Sequence, residues 1–185
     1  MQLVRRAAAL GLLRDRSIRQ LDMPLVQSIA REASEHGIGQ DVSVALLAKR
    51  IGPTRLEGLL GRLDRSLEDS SIPDREAAEL LGVFGREGLA ELLGTSQVSL
   101  GRYLGGSRAW PDDVAARLHW LALVVGDLRG GYNEFGVRRW FERPRPQLRG
   151  RSPRQLLGPK WNPDSRPATR VRDLAAALAG PGAAT

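Results

Sequence analysis

An all-α protein, a helical bundle with a small helical C-terminal domain, is what the sequence predicts, on three observations. Apolar residues recur at helical spacing almost from end to end. No stretch alternates apolar and polar residues as a half-buried strand does. Glycine and proline cut the chain into pieces of helical length. With 42% hydrophobic residues among 185, the chain can bury one or two small cores and escapes the composition of a disordered segment.

Helices are predicted over 3–20, 24–36, 42–50, 53–68, 74–84, 87–93, 97–104, 112–129, 134–141, 153–157 and 168–179. The first begins with Arg5-Arg6 and a short apolar run, which mimics a signal peptide. The run meets Arg14-Asp15-Arg16 without a small-residue cleavage site, so it reads as an amphipathic helix. Asp41, Pro73-Asp74 and Pro111-Asp112-Asp113 mark helix starts, where acidic residues face the positive end of the helix dipole. The helix over 112–129 carries Val114, Leu118, Leu121 and Val125, widened by Leu123, Val124 and Leu128, and is expected at the centre of the bundle. Gly130-Gly131 ends it. Arg143-Pro144-Arg145-Pro146 cannot be helical and is expected to form an extended basic strip continuing to Arg149 and Arg151. Residues 158–163 form a further irregular loop.

These breaks suggest three parts: an N-terminal helical extension (1–73), a middle domain (74–130) and a C-terminal domain (131–180). Residues 51–67 and 84–100 are similar at an offset of 33, sharing Gly52/Gly85, Leu56/Leu89, Leu59/Leu92, Leu60/Leu93, Gly61/Gly94, Ser66/Ser99 and Leu67/Leu100. This fits either a duplicated helical unit or chance between leucine-rich helices.

Charge is unevenly placed. Residues 129–173 hold 12 basic and 4 acidic side chains, residues 74–128 hold 5 and 8, and residues 1–73 hold 11 and 9. The basic excess therefore sits in the C-terminal third, as suits an anionic partner or a solvated arginine-rich surface. The absence of cysteine removes disulfides, thiolate metal sites and cysteine nucleophiles, and fits a cytoplasmic protein. No apolar run approaches the roughly 20 residues that span a bilayer. Two histidines, His36 and His119, and no phosphate loop, dinucleotide fingerprint or nucleophile elbow argue against an enzyme and give no cofactor or metal. His119 lies on the long helix and is expected in the core or at its boundary.

The most informative segment is 88–106, GLAELLGTSQVSLGRYLGG. Leu89, Ala90 and Leu93 give a first helix its buried face, Gly94 permits a positive φ, and Ser96 can cap a second helix. Leu100 with either Tyr103 or Leu104 anchors that second helix. Gln97, Val98, Ser99, Gly101 and Arg102 then face outward, and Gly105-Gly106 closes the helix. This is the layout of a helix-turn-helix for double-stranded DNA. Gln97 suits adenine, Arg102 guanine and Val98 a thymine methyl, while Ser96, Ser99, Ser107 and Arg108 suit phosphates. A helical hairpin that binds nothing has the same pattern, and the local net charge of −3 weighs on that side.

The segment resembles the helix-turn-helix of Xre-type repressors. Residues 132–157, YNEFGVRRWFERPRPQLRGRSPRQLL, resemble the C-terminal domain of the Xre/MbcA/ParS-like antitoxins through Arg139, Trp140, Pro144, Leu148, Gly150, Pro153, Leu156 and Leu157. The resemblance covers about 75–180, including a last helix with Val171, Leu174 and Leu178. It implies an antitoxin, commonly a homodimer, that represses its own operon and blocks a RES-domain, NAD-consuming toxin. Arg149, Arg151, Arg154, Lys160 and Trp161 are then the expected toxin contacts, with Trp161 the most exposed of the four tryptophans. Residues 1–73 and the proline-rich loop 158–169 depart from the family pattern. The extension would serve dimerisation or another ligand. The alternative is a stand-alone Xre-type regulator without a toxin.

Overall fold

The structure, a computed structural model, describes residues 2–13, 21–48 and 51–179. Among these the regular elements are all helical: α1 (Gln2–Ala9), α2 (Met23–Glu35), α3 (Gln40–Leu46), α4 (Pro53–Glu68), α5 (Pro73–Leu93), α6 (Gln97–Leu104), α7 (Asp112–Leu128), α8 (Glu134–Glu142), α9 (Pro153–Leu157) and α10 (Arg166–Ala179), with a 3-10 turn at Pro146–Leu148. The all-α expectation holds. No described helix is long and apolar enough to cross a membrane.

Local chemistry sets most of the ends. Asp22 accepts from the Leu25 N–H, and Asn133 from the Gly136 N–H. Ser152 and Gln155 form a reciprocal capping box at α9. Pro73 with Asp74 and Glu76 opens α5, and Pro111 with Asp112 and Asp113 opens α7. The expected first helix, 3–20, is cut short. Gly11, at φ 69°, turns the chain, with the Gly11 and Leu12 amides bonded back to the Ala8 and Ala7 carbonyls. Residues 14–20 of that expectation, and 49–50 of the third helix, lie outside the described residues.

Two cores result. Leu3, Val4, Leu10, Ile29, Leu46, Leu63 and Leu67 belong to one, built from α1 to α4. Leu80, Leu93, Leu100, Leu121, Trp140, Phe141 and Trp161 belong to the other, built from α5 to α10. The expected boundary at 73 coincides with the change of core. The one at 130 does not, because Val137, Trp140 and Val171 pack into the same core as α5, α6 and α7. The central helix is α7, which touches α1, α5 and α10. It meets α1 at close range: a Cβ on Gly126 would lie 3.0 Å from Ala9 Cβ. The similarity between 51–67 and 84–100 extends to a helix after Gly52 and after Gly85 and stops at the next shared glycine, since Gly61 is interior to α4 whereas Gly94 ends α5 at φ 65°.

A polar seam joins the cores. Arg6, 7% exposed, pairs with Asp64 at 2.6 Å and with Glu68 at 3.3 Å, and Glu68 also pairs with Arg172 of α10. His119 Nδ1 lies 2.7 Å from Glu76 Oε1, and its Nε2 lies 2.7 Å from the Glu68 carbonyl. Both neighbours are acceptors, so the imidazole satisfies both only when doubly protonated. Burial works against that charge, but the Glu76 carboxylate and the Glu68 carbonyl outweigh burial and the nearby Arg172, and raise the His119 pKa above its ordinary 6.5.

A raised pKa gives stability that is complete below the unfolded value and disappears as pH rises through the folded one. The difference in unfolding free energy between the wild type and His119→Gln is therefore expected to be largest below about pH 6.5 and to shrink towards alkaline pH. Parallel urea titrations across that range check it, and a pH-independent difference would refute the doubly protonated ring.

Candidate nucleic-acid interface

The α5–α6 region is built around two glycines. Gly85 has φ 68° and ψ 174°, a conformation essentially restricted to glycine, so α5 breaks there and 86–93 takes a new direction. This matches the expected division between 74–84 and 87–93. Gly94 then ends α5 with a left-handed turn, and Thr95 and Ser96 lead into α6. Ser96 Oγ accepts from the Ser99 N–H at 3.0 Å. At the far end Gly106, at φ 68°, and Ser107 donate to the Tyr103 and Arg102 carbonyls.

The last four carbonyls of α5 are all satisfied. Thr95 N–H donates to Ala90, and Gly94 N–H to Glu91. The Trp161 indole donates to Leu92 at 2.7 Å, and Arg117 Nε to Leu93 at 2.9 Å. Arg117 is buried; its Nη1 donates to the Trp161 carbonyl at 3.3 Å, and its Nη2 pairs with Asp113 at 2.6 Å. Hydrogen bonding to that guanidinium holds the Asp113 carboxyl below the usual range, against a smaller opposing effect of burial. Trp161 packs edge-on against Trp120, with centroids 4.6 Å apart. Gly94 is needed here for a second reason: a Cβ would lie 2.8 Å from the Lys160 backbone nitrogen.

On α6, Leu100 and Tyr103 are buried, while Gln97, Val98 and Arg102 are exposed, Val98 to 67%. Ser99 is half-buried, with its hydroxyl 3.0 Å from that of Ser96. Ser107 Oγ donates to the Arg102 carbonyl at 3.2 Å, and exposed Arg108 lies over the Tyr103 ring at 5.6 Å. Ser96, Gln97, Val98, Arg102, Ser107 and Arg108 are thus all exposed on α6 or at its two ends.

The second predicted set divides. Arg149 and Arg151 are exposed on a small loop, and Lys160 is exposed beside Gly94. Trp161 is only 6% exposed, so the expectation of an exposed contact is wrong. Its ring fills the core, and its N–H caps α5. Arg154 is half-buried between Glu91 and Glu142 and serves to hold α9 on α5 and α8. The basic strip is not extended either. The Arg145 amide bonds to the Arg151 carbonyl, Arg149 and Gly150 adopt positive φ, and the chain folds back around Leu148, which is buried.

The acidic balance of 74–128 reads differently in three dimensions. Glu76 faces His119, Glu79 pairs with Arg129, Glu91 with Arg154 and Asp113 with Arg117. Half of its eight acids are therefore neutralised from within, and Arg86, Arg102 and Arg108 stay exposed. Sequence reasoning missed Arg86. A Cβ on Gly101 would lie 2.9 Å from Arg86 Nη1, which puts this guanidinium on the outward face of α6. The only hint in the sequence is the glycine inside so short a helix.

A cleft of about 1230 Å³ opens elsewhere, along the seam, lined by Arg6, Glu68, His119, Asp127, Trp161 and Arg172 among others. Burial pushes the Asp127 carboxyl up, against the pull of Arg6 and Arg172. Its charges mostly answer one another across the two cores. Comparison of the chain with family models, curated proteins and solved structures returned no match.

Replacing Arg117 by Met leaves two buried carbonyls without donors and is expected to cost roughly 2–4 kcal/mol. Urea unfolding measures it; a loss below about 0.5 kcal/mol would mean that neither carbonyl depends on the guanidinium.

Proposed function

We propose that this protein is a DNA-binding regulator in which α6 enters the major groove. The observation that carries this reading is the division of α6 into a buried face, Leu100 and Tyr103, and an exposed face bearing Gln97, Val98 and Arg102. Those three side chains have the chemistry to meet adenine, a thymine methyl and guanine. Ser96 at the helix start, with Ser107 and Arg108 at its end, is suited to the flanking phosphates. The pairing of Glu91 and Asp113 with internal arginines supports it, because those carboxylates repel a phosphate backbone less.

Gln97→Ala and Arg102→Ala are each expected to weaken binding to a cognate duplex by about 1–3 kcal/mol and to relax its sequence preference. The measurement is fluorescence anisotropy with duplexes selected from the DNA upstream of the gene, against scrambled duplexes. Equal affinity for both duplexes in all three proteins would end the base-reading assignment.

The finer reading is an antitoxin that neutralises a RES-domain, NAD-consuming toxin and represses its own operon as a homodimer. It rests on the resemblance of residues 75–180 to the Xre/MbcA/ParS-like antitoxins. Arg149, Arg151 and Lys160 remain available for such a contact, whereas Arg154 and Trp161 are engaged internally. Co-expression with a RES-domain protein encoded by a neighbouring reading frame is expected to give one complex that survives nuclease treatment and spares cellular NAD. Separate elution of the two proteins in mild salt would leave a stand-alone regulator.

A further inference from the structure

Gly101 stands in the middle of α6, a helix of eight residues, although glycine is among the weakest helix formers. Its φ is not positive, so no backbone requirement accounts for it. What lies against it is the end of the Arg86 side chain: Nη1 is 2.9 Å from where a Cβ at 101 would stand, a contact that a flexible guanidinium can relieve by shifting. Arg86 follows Gly85, whose glycine-only conformation sets the direction in which residues 86–93 leave the break. Gly85 thus redirects the segment that begins with Arg86, and the guanidinium comes to lie against α6 at Gly101. Gly101 is one turn after Gln97 and adjacent to Arg102, within the stripe proposed to face DNA. Arg86 is exposed and, unlike Arg129 and Arg154, has no carboxylate partner among the described residues.

We infer that Arg86 is a DNA-contacting residue, carried across α6 from the preceding helix to grip a backbone phosphate. The inference rests on the reading of α6 as the recognition helix. A guanidinium beside the proposed base-reading stripe, with no carboxylate among the described residues to hold it, offers a planar fork suited to a phosphate oxygen pair.

The test uses the full chain, a labelled duplex from upstream of the gene and a scrambled duplex of the same composition. Affinities are measured across a salt series for the wild type, Arg86→Ala, Gly101→Ala, the double variant and Arg102→Ala, with a melting temperature for each. Arg86→Ala is expected to weaken binding to both duplexes by about the same factor, on the order of tenfold, and to reduce the slope of log affinity against log salt by about one. Gly101→Ala is expected to keep or raise the melting temperature, since alanine favours helix, and to change binding far less than Arg86→Ala, since the guanidinium can shift past one methyl group. The double variant is expected to bind like Arg86→Ala, because any effect of the alanine at 101 acts through the Arg86 side chain. Arg86→Ala with unchanged affinity and salt slope overturns the inference. If Arg102→Ala still weakens binding in that case, the recognition-helix reading survives without Arg86. If the wild type binds neither duplex, that reading fails first.

Discussion

The carbonyl end of α5 is the constraint from which the rest of the larger core follows. A helix that stops inside a protein leaves acceptors that must be paired, and here the partners come from three places in the chain. Backbone amides at 94 and 95 serve two carbonyls, while Trp161 and Arg117 serve the other two. Serving them draws the 158–163 loop onto the α5–α6 turn and fixes α7 beneath it. The direction of α6, and so of the face proposed to read DNA, depends on a tryptophan more than sixty residues downstream.

Much of this local architecture was legible in the sequence. Gly94, Ser96 and Pro111-Asp112-Asp113 act on the backbone within a few residues of themselves, and each helix end they predicted is present within a residue or two. Helical periodicity placed Leu100 inside and Gln97, Val98 and Arg102 outside, but it left Tyr103 and Leu104 as alternative anchors and put Ser99 and Gly101 outside; Tyr103 is the buried one, and Leu104, Ser99 and Gly101 are half-buried. Gly11 was legible in principle, but the apolar run on both sides of it concealed a helix end.

What was not legible depends on residues far apart in the chain. An indole bonded to a carbonyl 69 positions earlier leaves no local trace, so Trp161 read as a loop residue free to be exposed. Arg154 read as a surface cation because Glu91 is 63 positions away. Net charge over a window misled for the same reason: the acids of 74–128 find arginines outside it as well as within. Arg86 over Gly101 belongs to this class too, since neither residue announces the other.

The close meeting of Ala9 with Gly126 has a consequence for how the chain acquires its shape. The first helix rests on one of the later ones, with all of α2 to α6 between them. During synthesis α1 is exposed to the cell long before its seat on α7 exists, and only its contacts within the smaller core can shelter it. Closing so long a loop is slow relative to local helix formation. The face of α1 around Ala9 therefore has no seat until α7 is made. A chain interrupted before residue 126 would leave that face, and the polar seam beside it, without the helices that complete them.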